Sequence, residues 1–425
     1  MTAQSPLYII DFKMKILHTA DWHLGKRLDM FSRLEEQREV LAEIVEIADK
    51  EEVDAVIVAG DLFDNFNPSS EATELLYSTL HRLSNNGTRA VIAIAGNHDS
   101  PERIEVPDAL ARACGIIFVG YPNAYLRPFT TDGGIEVLHV DNGYIELALP
   151  KQQTPLRLIL TPYANEVRLK TYLGVEDTED SLRQHLAQHW KQLADQYFDE
   201  KGINFLVTHL FMMKNGGEQP EEPDDEKPIL HVGGASAIYS ENIPPQTQYV
   251  ALGHLHRFQT IDTEPCPIIY SSSPLAYSFS EANQTKYVVV VEAQAGKPVN
   301  LLPIALTKGK KLLRNKFTEV EEALAWLEEN QDAIVQITMI TESYLESADK
   351  KRLMDAHPMM MPIIPEVKNL QKGNDGTSKI VSIDNKSMEE LFVEYFKNSK
   401  EGKGQAPSES LMELFKEIQS VEIFE

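Results

Sequence analysis

Five apolar runs of this chain each end in side chains that can bind a cation or move a proton. KILHTADWH delivers Asp21 and His23, AVIVAGD delivers Asp61, and VIAIAGNHD delivers Asn97, His98 and Asp99. Further on, NFLVTH delivers His209 and YVALGHLH delivers His254 and His256. Asp, Asn and His are oxygen and imidazole donors suited to manganese, iron or zinc, and no thiolate is offered. A metal pair suits this set better than a hydrolytic triad does. One such histidine is more often structural than functional. All five elements in order, each at the end of an apolar run, point to a site. Glycines precede Asp61, Asn97 and His254, where the chain can turn sharply and bring backbone close to a ligand. The other histidines, His18, His81, His139, His185, His189, His231 and His357, match no such pattern and are expected to be structural.

The elements that must bring these groups together are legible as short runs rich in Val, Ile and Leu. Met14–Ala20, Asp54–Ala59, Ala90–Ala95 and Ile116–Val119 come first; Leu156–Thr161, Asn204–Thr208, Tyr249–Leu252, Pro267–Tyr270 and Tyr287–Glu292 follow. Helical patterns at about 32–51 and 69–85 separate the first three, which predicts βαβ units and a largely parallel core. From about Pro267 the strands crowd together, as antiparallel additions would. In an α/β sheet the carboxyl ends of the strands line one crevice, so residues from Asp21 to His256 can converge there. An α/β sandwich through about residue 305 is expected.

With 425 residues and 42% hydrophobic composition, the chain has room for two or three domains with sizeable cores. Forty basic against 65 acidic residues leave a net charge of −25, opposite to the usual nucleic-acid footprint. Chemistry on a polyanion therefore needs local positive charge, from metals or clustered lysines and arginines. The two cysteines, Cys114 and Cys266, cannot make a disulfide framework or a thiolate metal site and read as buried thiols of a reducing cytoplasm. No apolar stretch is long enough to span a membrane. Residues 1–13 lack the pattern of a secretory signal, and MKILHTADWHLG reads as a natural beginning, so they are expected to be an extension.

Two loops stand out. Glu218–Pro228 is acidic and proline-rich, and Lys308–Lys316 (KGKKLLRNK) carries five basic residues, as a solvated linker or a phosphate-contacting strip. Beyond it, Ala323–Glu328 reads as helix, Ala333–Ile340 as strand, Glu342–Met354 as helix and Met359–Val367 as strand, a small α+β unit. After a turn-rich linker come two helix starts with capping-box spacing, Ser387…Glu390 and Ser410…Glu413. Their apolar faces, Leu391, Phe392, Tyr395 and Phe396, then Leu411, Leu414, Phe415 and Ile418, suit a partner's groove better than burial in isolation.

Taken in order, Asp-x-His, Gly-Asp, Gly-Asn-His-Asp, His and Gly-His-x-His resemble the calcineurin-like metallophosphoesterase superfamily. HTADWHLGKRL at 18–28, GDLFDNFNPS at 60–69 and YSSSPLAYSFSE at 270–281 resemble its double-strand-break-repair nuclease branch. The resemblance implies an α/β fold, a β-sandwich flanked by helices, with a small α+β cap and a C-terminal helix-loop-helix. Domains would run 14–305 for the nuclease, 306–375 for a DNA-binding cap and 387–425 for docking an SMC-like ATPase. One metal would take Asp21, His23, Asp61 and His256; the other would take Asp61, Asn97, His209 and His254, with Asp61 bridging. Two Mn²⁺ ions, roughly 3.5–4 Å apart, would activate water and neutralise charge on phosphate. His98 would stay off the metals to protonate the leaving oxygen or hold the phosphate, and Asp99 would orient it.

The implied activity is a Mn-dependent DNA nuclease of repair, recombination and replication. It would cut hairpins and single strands endonucleolytically and, driven by the ATPase, duplex ends as a 3′–5′ exonuclease. Homodimerisation around Glu71–Leu83 and Arg103–Ala113, and a cytoplasmic setting, are further expectations of the resemblance. One departure is Asp64, where archaeal relatives carry a histidine; an acid there cannot act as a cationic phosphate contact. No Walker A motif is present, so any ATP dependence belongs to another chain. Two alternatives keep the same core: a phosphodiesterase for cyclic nucleotides or other small esters, and a non-catalytic regulator of an ATPase.

Overall fold

The runs Ala55–Ala59 and Ala90–Ile94 are buried at every position. Such unbroken apolar strands belong in parallel sheets covered on both faces. The computed structural model, which describes residues 13–169, 178–218, 220, 237–341 and 345–367 with a few isolated later positions, builds them that way. Met14–Thr19, Ala55–Ala59, Ala90–Ile94 and Ile116–Val119 pair in parallel. Tyr287–Ala293 and Asn300–Ala305 add antiparallel strands to complete a six-stranded sheet. In a second, seven-stranded sheet, Leu156–Thr161, Ile203–His209, Tyr249–Gly253 and Ile268–Tyr270 are parallel.

Side chains alternate across each strand, so the first sheet feeds two cores. Ile16, Ile57 and Ile92 meet Leu158, Phe205, Tyr249 and Ala251 of the second sheet between the layers. Val56, Val58 and Val91 face the other way, onto helices Leu34–Lys50 and Ser70–Leu83 through Leu41, Ile44, Leu76 and Leu80. The outer face of the second sheet is closed by helix Thr178–Tyr197, whose Leu186 and Trp190 pack on Leu206 and Val250. His18, fully buried, joins the sheets by hydrogen-bonding the Tyr249 hydroxyl at 2.9 Å and the Leu252 carbonyl at 3.2 Å. Burial pulls its pKa down to about 3, so it is a neutral core group.

Several elements were not anticipated. Glu136–Asp141 and Tyr144–Ala148 form an antiparallel hairpin at the edge of the second sheet, and Thr178–Tyr197 is a long helix. The basic Lys308–Lys316 stretch is only half a connection, because Leu312–Phe317 pairs in parallel with Ile334–Thr341. It lies at the edge of a three-stranded sheet with Arg314 and Lys316 exposed. Lysine-rich edges of that kind discourage further strand pairing. Helices Val320–Glu329 and Ser347–Asp355 cover this sheet around Ala323, Leu327, Val335 and Leu353.

That sheet is rooted in the larger body. Leu28 and Phe279 pack on Leu312, Ile334 and Met361, and the Lys310 amide donates to Glu36 at 2.5 Å. Both belong to one packed unit ending at Glu366, and a second unit spans Val367–Glu425. Most of the Glu218–Pro228 loop and nearly all of the 387–425 tail lie outside the described residues. Cys266 is buried, with its thiol pushed up to about 12 by burial, whereas Cys114 is only partly covered. Among the described residues no helix is long and apolar enough to cross a membrane.

Candidate metal centre

Where the ligand-bearing strands end, the backbone enters the left-handed region. Asp21 (φ 55°), His23 (φ 43°), Asp61 (φ 46°) and His254 (φ 109°) all sit there. Each such non-glycine conformation costs on the order of 1–3 kcal/mol and persists only where the surroundings over-determine it. Here they do. The Asp21 amide donates to the Gly60 carbonyl at 3.0 Å, and the His23 amide donates to the Asp61 carbonyl at 2.9 Å, which zips two strand ends together. Gly60 itself has φ 92°, and a Cβ on it would stand 2.1 Å from His209 Nδ1. Gly96 is required for closeness alone: its Cβ would meet Asp61 Oδ1 at 2.0 Å.

Asp21, His23, Asp61, His209 and His256 are fully buried, and their polar atoms converge. His23 Nε2 and His256 Nε2 are 2.9 Å apart, and His23 Nε2 is 3.5 Å from Asp61 Oδ2. On the other side of Asp61, His209 Nε2 lies 3.2 Å from the same Oδ2. Asn97 Oδ1 stands 2.9 Å from His209 Nε2 and 3.1 Å from His254 Nδ1. Asp61 therefore lies between two groups, His23 with His256 and Asn97 with His209 and His254. Asp21 Oδ1 accepts from the His254 amide at 2.8 Å and is 3.6 Å from His209 Nδ1.

Two tests bear on whether this set fits metal ions. Asp21 Oδ2 and Asp61 Oδ2 are buried and accept no well-aligned hydrogen bond, a costly arrangement unless a cation is to be held. The donors are carboxylate, amide and imidazole, the set preferred by divalent first-row metals. Protonation tells the same story. His209 Nδ1 lies 2.9 Å from the Ala59 carbonyl, which can only accept, so Nδ1 carries a proton and Nε2 is the nitrogen turned toward Asp61 and Asn97. Burial opposes charge on His209, but Asp61 and Asp21 outweigh it and push its pKa up to about 9. Asp21 is pushed up to about 7, chiefly by burial and against the pull of His209 and His256. Asp61 is held well below the usual range, because His209, His23 and His98 outweigh its burial.

His98 and Asp99 follow Asn97 but are held differently from expectation. The His98 amide donates to Asp61 Oδ1 at 2.9 Å, and its Nδ1 lies 3.0 Å from the Asp64 carbonyl. Asp99 was expected to orient the imidazole. Instead its carboxylate accepts from three backbone amides, Gly96 at 2.8 Å, Phe63 at 2.9 Å and Leu62 at 3.0 Å. It ties the Asn97 loop to the Asp61 loop, and the carbonyl of Asp64 takes over the orienting contact. Burial and the Asp61 charge push Asp99 up to about 6, against the three amides. The Asp64 side chain pairs with Lys26 Nζ at 3.1 Å and lies 3.8 Å from His23 Nδ1. The acid thus faces a metal-ligand candidate.

Arg168 carries no motif and was missed. It is buried and donates to the carbonyls of Gly96 at 2.7 Å, Asp99 at 2.8 Å and Asn97 at 3.3 Å, so it clamps the whole loop. Charge-assisted hydrogen bonds are worth roughly 1.5–3 kcal/mol each when lost. Arg168→Met is expected to lower the unfolding free energy of the metal-free protein by about 2–4 kcal/mol in urea titrations. A loss within about 0.5 kcal/mol of zero would contradict the clamp. Glu281 and Lys286 were also missed as individuals, although Glu281 closes the quoted YSSSPLAYSFSE stretch. Glu281 Oε1 lies 3.4 Å from His256 Nδ1 and Oε2 pairs with Lys286. Burial opposes its charge, yet Lys286 and His256 hold it well below the usual carboxylate range.

Comparison with known proteins adds to this geometry. The family model of the calcineurin-like phosphoesterases matches residues 14–258. The chain is 34% identical over 414 residues to the SbcD subunit of the nuclease SbcCD from Bacillus subtilis (strain 168), covering 96% of this chain and 98% of that protein. It is 33% identical over 294 residues to the protein of the same name from Rhodobacter capsulatus, covering 68% and 69%. Among solved structures, TT1561 of Thermus thermophilus overlaps at a TM-score of 0.37 with 12% identity, over 69% of this chain and 99% of that one.

Proposed function

Because the chain belongs to the calcineurin-like phosphoesterases, in the group of the SbcD nucleases, we propose that it is a two-metal DNA phosphodiesterase. It cuts hairpins and single strands internally, and duplex ends with an SbcC-type ATPase. The observation that carries this reading is Asp61, fully buried, with imidazoles of two separate ligand groups 3.2 and 3.5 Å from one of its oxygens. Asp21, His23, Asp61 and His256 would hold one ion, and Asp61, Asn97, His209 and His254 the other. Manganese is our choice of metal. When bound, the pair supplies an activated water and neutralises phosphate charge. The protein's own groups do the rest. His98, whose Nδ1 lies 3.0 Å from the Asp64 carbonyl, would act on the leaving oxygen or the phosphate. Asp99 and Arg168 fix the loop that carries it.

Exposed Lys308, Lys310, Arg314 and Lys316 support a DNA-contacting role for the 306–375 region despite the −25 net charge. Residues 387–425 would dock the ATPase, and Tyr77, Val106 and Leu110, exposed on or beside helices of the body, would meet a second copy. A cytoplasmic setting goes with such partners. The test is Mn²⁺-dependent cleavage of hairpin DNA beside bis-p-nitrophenyl phosphate, with and without the ATPase. Cleavage of both is expected; hydrolysis of the small ester with intact DNA in every arm would overturn the nuclease reading.

A further inference from the structure

Around His256 the chain has built an ion pair that the reaction described above does not use. Glu281, Lys286 and His256 are 2%, 6% and 0% exposed. Glu281 Oε1 accepts from the Tyr277 amide at 3.0 Å and the Ser278 amide at 3.1 Å, and faces His256 Nδ1 at 3.4 Å. Lys286 Nζ bonds Glu281 Oε2, the His256 carbonyl at 2.8 Å and Ser273 Oγ at 3.0 Å. An ammonium has three protons, and these partners take all three. Both the ring and the main chain of His256 are therefore gripped by one buried pair. Buried ion pairs are weak contributors to stability compared with apolar residues of similar volume, so packing alone is a poor reason for this one.

We propose that Glu281, set in place by Lys286, is a positioning residue: its Oε1 accepts a hydrogen bond from the His256 Nδ1–H and so presents Nε2 to the metal pair. The inference rests on the two-metal reading. With Nδ1 bonded to an acceptor, the tautomer is fixed and Nε2 carries the lone pair. That nitrogen is the one standing 2.9 Å from His23 Nε2. The geometry thus makes the first metal, not the second, dependent on Glu281.

Two double variants separate positioning from packing, because both remove the ion pair and leave no buried unpaired charge. Glu281→Leu/Lys286→Met deletes the acceptor, whereas Glu281→Gln/Lys286→Met keeps a carbonyl oxygen for His256 Nδ1. Mn²⁺ binding to the purified full chain is measured by equilibrium dialysis with elemental analysis, and coupling between ions by electron paramagnetic resonance. The leucine variant is expected to bind one ion as the parent does and the other about 10–100-fold more weakly, with the exchange-coupled signal lost. The glutamine variant is expected to recover both ions and the coupled signal. Parent-like binding of two ions by the leucine variant would overturn the inference, as would equal weakening of both ions in both variants. A parent chain that binds no pair of ions would overturn the two-metal reading itself, and the inference with it.

Discussion

Replacing His98 with alanine is expected to leave two metal ions bound and to slow DNA cleavage about 10²–10⁴-fold, the range for a lost general acid. The reason metals survive is structural. The contact that His98 makes with Asp61 comes from its backbone amide, at 2.9 Å from Oδ1, and alanine keeps it. Asp99 fastens the loop through the amides of Gly96, Leu62 and Phe63, none of which involves the imidazole. Only the ring is removed. Comparing substrates then tells its two possible roles apart. A p-nitrophenolate leaves without a proton, so loss of an acid should slow DNA cleavage far more than hydrolysis of bis-p-nitrophenyl phosphate. Loss of a phosphate contact should slow both alike. Measured kcat on each substrate, with metal content determined on the same samples, decides it. Loss of a metal ion in His98→Ala would contradict the assignment of His98 to chemistry.

The second large effect is expected at Asp61. Asparagine there can still accept from the His98 amide, but its NH₂ group cannot replace the oxygen that lies 3.2 Å from His209 Nε2 and 3.5 Å from His23 Nε2. Both groups of ligands lose their common member, so both ions should bind weakly or not at all. In calorimetric titrations the parent is expected to take up two Mn²⁺ and Asp61→Asn fewer than one at the same concentrations. The variant should also lose metal-linked stabilisation, which for the parent is about 2.7 kcal/mol per ion at a hundredfold excess over Kd. Thermal melts with and without Mn²⁺ read this directly. A variant that still gains stability from two ions would refute the bridging role.

The order and identity of the ligand-bearing strands were legible because each is an unbroken apolar run ending in polar groups. Ala55–Ala59 and Ala90–Ile94 coincide with the expected strands to within a residue. Glycines before Asp61 and Asn97 were also legible as a sign of close approach, though only Gly60 among that pair adopts a left-handed φ. What escaped notice were residues that act on the site from other elements. Arg168 lies beyond a strand that ends in no ligand-type cluster, and its role exists only because the fold carries it to the Gly96–Asp99 carbonyls. Glu281 and Lys286 lie beyond the last ligand, so no spacing rule connects them to His256. Asp99 misled for the opposite reason. Its neighbour in sequence is His98, but successive residues in a tight loop point apart, and its carboxylate turns back to the amides of the adjoining strand ends. Asp64 gained meaning as well: its carbonyl holds His98 and its carboxylate pairs with Lys26, so an acid suits that position.

A bridged two-metal centre is tested most directly by diffraction from crystals of the chain grown with Mn²⁺, measured at the manganese absorption edge. Two anomalous peaks are expected, both within bonding distance of the Asp61 carboxylate. One should be bounded by Asp21, His23 and His256 and the other by Asn97, His209 and His254. A single peak, or two peaks of which either lacks Asp61 as a ligand, would contradict the bridged pair.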